Sequence, residues 1–258
     1  KNRNNKIVMK IDLQNKNILV TGASRGIGAA IAKELGTSGA RVAIHYNKEK
    51  ETAEDVAQSS GNGSKIFKAN LQDPANCEKL FKEVLEEFGH LDAIINNAGT
   101  AIVSPLESEN WVKEWDETIA INLRAVGILC NLAIQHFKTR QSGRIINIAS
   151  RAAFRGDTAE FLAYAASKGG VVSLSRSIAR AFGKDGITCF VVAPGWVKTD
   201  MAEDSIKEYG EEFILQGNAL DRLTEPDDIA PMVTLLASGL ADHATGTSID
   251  INAASYVH

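Results

Sequence analysis

Short, β-branched apolar runs alternate along this chain with longer stretches whose apolar side chains recur every three or four positions. Asn17 to Val20 opens the series as a β-prone run; after a glycine-rich turn, Ala29 to Leu35 has helical character. Arg41 to His45 and Ser64 to Ala69 are again strand-like. Pro74 then starts a segment in which Cys77, Leu80, Phe81, Val84, Leu85 and Phe88 share one helical face, with Glu and Lys between them. Leu91 to Ile95, Arg144 to Ile148 and Ile187 to Val192 are continuous rather than alternating apolar runs, the pattern of strands buried on both faces of a sheet. Helix-like stretches over Trp111 to Phe137 and Leu162 to Phe182 separate them, and Thr247 to Ile251 is a last strand. The alternation predicts an α/β fold: one doubly wound parallel sheet of Rossmann type with helices on both faces. Residues 11–258 are expected to form one domain, behind a flexible, polar, Asn-rich leader at 1–10 that lacks the apolar core of a secretory signal.

Composition narrows the chemistry. The chain has 258 residues, 44% apolar and 23% charged, with a formal charge of −4. That balance argues against general nucleic-acid binding, which needs a basic surface to release counterions. No uncharged apolar stretch has the roughly 20 residues that span a bilayer, so no membrane partner is expected. Three widely spaced cysteines, Cys77, Cys130 and Cys189, read as small buried hydrophobes in a reducing, cytoplasmic compartment. The five histidines are scattered, so no metal site is expected.

The turn after the first strand, Thr21-Gly22-Ala23-Ser24-Arg25-Gly26-Ile27-Gly28, lets the backbone approach a phosphate at a helix N-terminus. Its Gly-x-x-x-Gly-x-Gly spacing is neither the common dinucleotide fingerprint nor a P-loop. A glycine turn alone is equally a plain turn. In this position, however, it resembles that of the short-chain dehydrogenase/reductase family, and further motifs follow in the family's order: Asn96-Asn97-Ala98-Gly99, Ile121-Asn122-Leu123, Ser150, Tyr164-Ala165-Ala166-Ser167-Lys168, and Pro194-Gly195-Trp196-Val197-Lys198-Thr199.

The resemblance implies a catalytic set of Asn122, Ser150, Tyr164 and Lys168. Tyr164 would exchange a proton with the substrate oxygen, Ser150 would hydrogen-bond that oxygen, Lys168 would lower the phenol's pKa and bind ribose, and Asn122 would hold a relay water. Many relatives place the serine thirteen positions before the tyrosine, where this chain has Arg151; the run Arg144 to Ser150 favours Ser150 and one extra loop residue. The resemblance also implies that Gly22, Ser24, Arg25, Gly26, Ile27, Gly28, Asn47, Asn70, Leu71, Asn97, Ala98, Gly99, Tyr164, Lys168, Pro194, Gly195, Val197 and Thr199 bind the cofactor. The second strand ends in His45-Tyr46-Asn47-Lys48 without a carboxylate, and Arg25 could pair with a 2′-phosphate, so the expected cofactor is NADP(H).

The chain looks closest to the 3-oxoacyl-acyl-carrier-protein reductase-like branch, which implies fatty-acid biosynthesis, a small-molecule or acyl-carrier-bound carbonyl substrate and a homo-oligomer, tetramer or dimer. An acidic carrier would want basic residues at the pocket entrance, with Arg140, Arg144, Arg151 and Arg155 as candidates. The ending Asn252-Ala253-Ala254 departs from the family's Gly-Gly, and Met201 to Leu220 reads equally as a mobile lid or a packed surface helix. A sugar, steroid or other ketone reductase is the alternative, and a dinucleotide-binding module without turnover is a third reading.

Overall fold

The computed structural model describes residues 11–200 and 210–257. The expected leader at 1–10, and Met201, Ile206 and Tyr209 of the proposed lid, lie outside the described residues. Seven strands form one sheet: β1 Asn17–Val20, β2 Arg41–Tyr46, β3 Lys65–Lys68, β4 Ala93–Asn96, β5 Gly143–Ile148, β6 Ile187–Pro194 and β7 Ser248–Ile251. Their spatial order is β3-β2-β1-β4-β5-β6-β7 and every pair is parallel. Strand order reverses between β1 and β4, which opens a crevice beyond their carboxyl ends, where ligands of open α/β sheets bind.

Both faces are covered, as the continuous apolar runs predicted. In β5, Ile145 enters one core with Leu80, Leu129, Phe137 and Ile178, while its neighbours Ile146 and Ile148 enter the other with Ile31, Leu35, Ile44 and Val233. The first core lies under α3 Pro74–Phe88, α5 Ala125–Arg140 and α7 Leu162–Phe182. The second lies under α1 Gly26–Thr37, α2 Lys50–Ser60 and α9 Pro226–Ser238. The period-2 alternation of a strand assigns consecutive isoleucines to opposite cores.

Several elements differ from the sequence expectation: helix α9 and the short helix α6 Ala152–Arg155 are absent from it, and α8 Glu211–Leu215 falls in the segment read as a lid or a surface helix. Helix α2 is absent from that reading because only Ala53, Val56 and Ser60 are buried on it, too few for a visible stripe. Strand β3 is shorter than expected and exposes Lys65 and Lys68 at the sheet edge, where charges discourage further pairing. The stretch Trp111 to Phe137 is two helices, α4 Trp111–Ile119 and α5, joined by a π-helical turn at Ala120–Arg124. Among the described residues, Trp111–Arg140 is long and apolar enough to cross a membrane by length and composition, and its apolar face, with Leu129, Ala133 and Phe137, is buried against the sheet.

Candidate active site

The glycine turn is shaped by close approach. Gly22 adopts φ +62°, and a Cβ there would lie 2.9 Å from the Cα of Ala98. A Cβ on Gly28 would collide with the Gly22 carbonyl and sit 2.5 Å from the Asn97 amide. Two side chains staple this turn to the loop after β4. The Thr21 hydroxyl accepts the backbone N–H of both Asn97 and Ala98 at 3.0 Å, and the Asn97 amide donates to the carbonyls of Thr21 and Gly22 at 2.9 Å. Arg25 stands at the N-cap of α1 without a side-chain cap, and the first turn holds no acid. Amides at that end are therefore open to an anion, with the helix dipole in favour. A backbone cradle that a single methyl would fill, opening on uncapped amides, fits the pyrophosphate of a dinucleotide.

His45, at the end of β2 and 2% exposed, holds the turn from the other side. Its Nδ1 accepts the Gly22 N–H at 3.0 Å, so the ring proton sits on Nε2 and is donated to the Ala69 carbonyl at 3.1 Å. Burial lowers its pKa to about 4, partly opposed by the Ala69 bond, so the ring is neutral. Beyond it Asn47 is exposed, Asn70 accepts the Gln72 N–H through Oδ1 at 3.1 Å, and Leu71 is buried.

The opposite wall of the crevice follows β6. Gly195 donates its N–H to Ile251 at 3.1 Å, Val197 bridges Thr224, and the Thr199 hydroxyl donates to the Val197 carbonyl at 3.3 Å. Thr199 touches the glycine turn, since a Cβ on Gly26 would lie 3.2 Å from its methyl. Arg25 crosses the gap to pair with Asp200 at 3.1 Å, both side chains more than half exposed. In this state its guanidinium points to the β6 loop.

The four residues expected to do chemistry converge beside this cradle. Ser150 follows β5, accepts the Ala152 N–H at 3.1 Å and lies beside the Tyr164 phenol, whose pKa its hydroxyl lowers. The Ser150 hydroxyl therefore stands next to the tyrosine. Tyr164 and Lys168 lie one turn apart on α7, with Lys168 Nζ 5.7 Å from the phenol ring centre. Lys168 is buried and donates to the Ile148 carbonyl at 2.9 Å. Asn122, buried in the π-helical turn, accepts the Thr100 N–H and donates to the Thr100 carbonyl, both at 2.8 Å, and donates to Ser167 at 3.2 Å. A Cβ on Gly99 would lie 3.4 Å from both Asn122 Oδ1 and Lys168 Nζ, so the loop after β4, the π turn and α7 meet at one point. π turns recur at functional sites because the extra residue redirects a side chain.

Burial is the leading influence on both titratable groups. It raises the Tyr164 phenol above its ordinary value, Asp157 adds to the rise, and the Ser150 bond opposes it. It also lowers Lys168 to about 8. The phenol is thus held in its proton-donating form beside an amine that titrates near neutrality. Among the described residues no cluster of His, Cys, Asp or Glu could hold a metal.

The short chain dehydrogenase family model matches residues 16–210. The chain is 37% identical to a 3-oxoacyl-[acyl-carrier-protein] reductase of Staphylococcus aureus, over 94% of this chain and 98% of that one. It is 34% identical to one of Escherichia coli, over 96% and 100%. The chain belongs to the short-chain dehydrogenase family. A dehydrogenase/reductase structure from Sinorhizobium meliloti superposes with a TM-score of 0.87 at 34% identity, over 96% of this chain and 98% of that one. A short chain dehydrogenase from Burkholderia cenocepacia, solved in complex with NADP, superposes with a TM-score of 0.84 at 34% identity, over 94% and 98%.

This short-chain dehydrogenase, an oxidoreductase, corrects two sequence expectations. Arg144 opens β5 and forms a two-bond pair with Asp242 at 3.0 and 2.7 Å, and Arg140 pairs with Asp92, which precedes β4. Both lie at the amino ends of the strands, across the sheet from the crevice, so neither stands at a pocket entrance. The sequence reading assigned no role to Thr21, to His45 or to Asn147, the buried partner of Asn96 in the motif at the end of β4. Asn96 donates to Asn147 at 2.8 Å, and Asn147 to Ser175 at 2.8 Å, which ties β4, β5 and α7 behind the reacting residues.

Proposed function

We propose that this chain reduces a carbonyl to a secondary alcohol with NADPH, and that its substrate is a 3-oxoacyl thioester. The observation that carries the reading is the meeting of Ser150, Tyr164 and Lys168 at the mouth of a phosphate-fitting backbone cradle. Ser150 orients the carbonyl oxygen, and Tyr164 gives it a proton as the alkoxide develops. Lys168 stabilises the phenolate left behind, and Asn122 fixes the loop at Thr100 that closes this corner. Seated in the cradle, NADPH supplies the hydride. The absence of a carboxylate at the end of β2 favours the 2′-phosphate form, and Arg25 reaches that phosphate once it leaves Asp200. The thioester follows the two reductases of acyl-carrier substrates to which the chain is similar.

The family resemblance also supports a homo-oligomer, and Val103, Leu106 and Val112 are exposed apolar side chains before and at the start of α4. The buried free thiols of Cys77, Cys130 and Cys189 suit a reducing cytoplasm. NADPH oxidation with acetoacetyl thioester, beside an NADH control, tests the function. Tyr164→Phe is expected to abolish turnover while leaving NADPH affinity within about twofold. Rapid reduction of a sugar or steroid, with none of the thioester, would replace the substrate but keep the reaction.

A further inference from the structure

Arg151 follows Ser150 directly, between the carboxyl ends of β5 and β6, where its N–H donates to the Pro194 carbonyl at 2.9 Å. The residue is only 9% exposed. Among the described residues no carboxylate or carbonyl lies within bonding distance of its guanidinium. The nearest acid in sequence, Asp157, is held by Arg155 at 3.7 Å and by the Thr158 N–H at 3.0 Å. Residues 151–158 thus set two guanidinium groups against one carboxylate, and that carboxylate, Asp157, acts electrostatically on both Arg151 and Tyr164, which places the cluster near the phenol. Burial and the neighbouring Arg155 lower the Arg151 pKa to about 10, and Asp157 offsets them only in part. None of its guanidinium nitrogens is sealed from solvent without a partner, so the head group opens on water that an anion can replace, and a counter-charge there offsets the cost of burying the rest of the side chain.

We propose that Arg151, assisted by Arg155, anchors an oxyanionic group, carboxylate or phosphate, of the carbonyl substrate. This rests on the reading of Ser150 and Tyr164 as the carbonyl-reducing pair. Because Arg151 is held between the carboxyl ends of β5 and β6, the anchor holds the ligand on the crevice side of the sheet, where Ser150 also lies. The planar guanidinium suits a carboxylate or phosphate through two parallel bonds, which a lysine cannot copy.

The test measures ligand binding to the NADP+ complex by tryptophan fluorescence, separately from turnover. Acetoacetate supplies a carboxylate, acetoacetyl coenzyme A a phosphate, and ethyl acetoacetate neither. In Arg151→Met the affinity for a charged ligand is expected to fall about 10- to 100-fold relative to the neutral ester, with Arg151→Lys recovering only part. Loss confined to acetoacetate identifies a carboxylate, and loss confined to the thioester identifies phosphate. Equal loss for all three ligands, or no loss, would overturn the proposal. So would unchanged affinities with an altered oligomeric state, which would assign Arg151 to a subunit contact. Unchanged melting and NADP+ affinity certify each variant. Should Arg151→Met not fold, Arg155→Met and Arg151→Lys apply the same comparison. Absence of ketone reduction by the unmodified protein would refute the proposed function, while anion binding is still decided by fluorescence.

Discussion

At the scale of single residues, the two catalytic candidates titrate in ways that set a pH dependence. Tyr164 is held protonated by burial, so the proton needed for reduction is present at neutral pH. Lys168, lowered to about 8, loses the charge that stabilises the emerging phenolate as pH rises. The kcat/KM for reduction should therefore decline above about pH 8, and Lys168→Met should lower the rate and remove that break; a profile flat through that value would refute the assignment. His45 gives a second, structural prediction. Its folded pKa of about 4 lies below its ordinary 6.5, so the unfolded chain takes up the proton first on acidification. Stability from His45 is full above pH 6.5 and is lost as pH falls from there toward 4. At about 1.4 kcal/mol per pH unit, the loss amounts to roughly 3 kcal/mol. Denaturant titrations of the native chain and His45→Phe across that window should show the slope reduced in the variant.

At the scale of elements, the tail after β7 shows strain the sequence only hinted at. Where the family resemblance leads one to expect Gly-Gly, Ala253 and Ala254 adopt φ +51° and +55°, the left-handed region that costs a residue with a Cβ about 1–2 kcal/mol. The turn is held there by its surroundings: Ala219 donates to the Ala253 carbonyl at 2.7 Å, and Asn252 and Ser255 bond within it. Glycine relieves the strain but gives the unfolded chain more freedom, so each of Ala253→Gly and Ala254→Gly should stabilise by about 0.5–1 kcal/mol. Thermal melting of the double variant should rise by about 2–8 °C; a fall would mean the methyl contacts outweigh the strain.

The elements also show what was legible beforehand. Strands β1, β4, β5 and β6 were visible because burial on both faces leaves unbroken apolar runs, and Tyr164 with Lys168 because one helix turn fixes their spacing. Ser150, the serine the alignment chose over position 151, is the one whose hydroxyl acts on Tyr164. Hidden from the sequence were contacts between segments far apart in the chain: Thr21 with Asn97, His45 with Gly22, Arg25 with Asp200. No local pattern encodes a pairing that only the sheet order creates. Arg140 and Arg144 misled for the same reason, since residue type marks a charge but only topology decides at which end of the strands it falls.

For the whole molecule, the cofactor cradle joins the two halves of the sheet, β1 to β3 on one side and β4 to β7 on the other. Its walls are tied by Thr21, Asn97 and His45, so the cradle depends on the fold and a ligand seated in it adds stability to the folded chain. At a hundredfold excess over its dissociation constant, a ligand that binds only the folded chain stabilises by about 2.7 kcal/mol. For a chain of this size that corresponds to a rise of about 5–10 °C in Tm. NADP+ should give such a shift and NAD+ a smaller one at equal concentration, because the end of β2 offers no carboxylate to a ribose hydroxyl. The Arg25 pair with Asp200 is exposed, and such pairs are worth about 0–1 kcal/mol, so a 2′-phosphate can draw the guanidinium away at little cost. Arg25→Ala should bring the NADP+ shift down to the NAD+ level and leave the NAD+ shift in place. Should both shifts fall together, Arg25 serves the turn rather than the phosphate, and selectivity resides in Asn47 and Lys48.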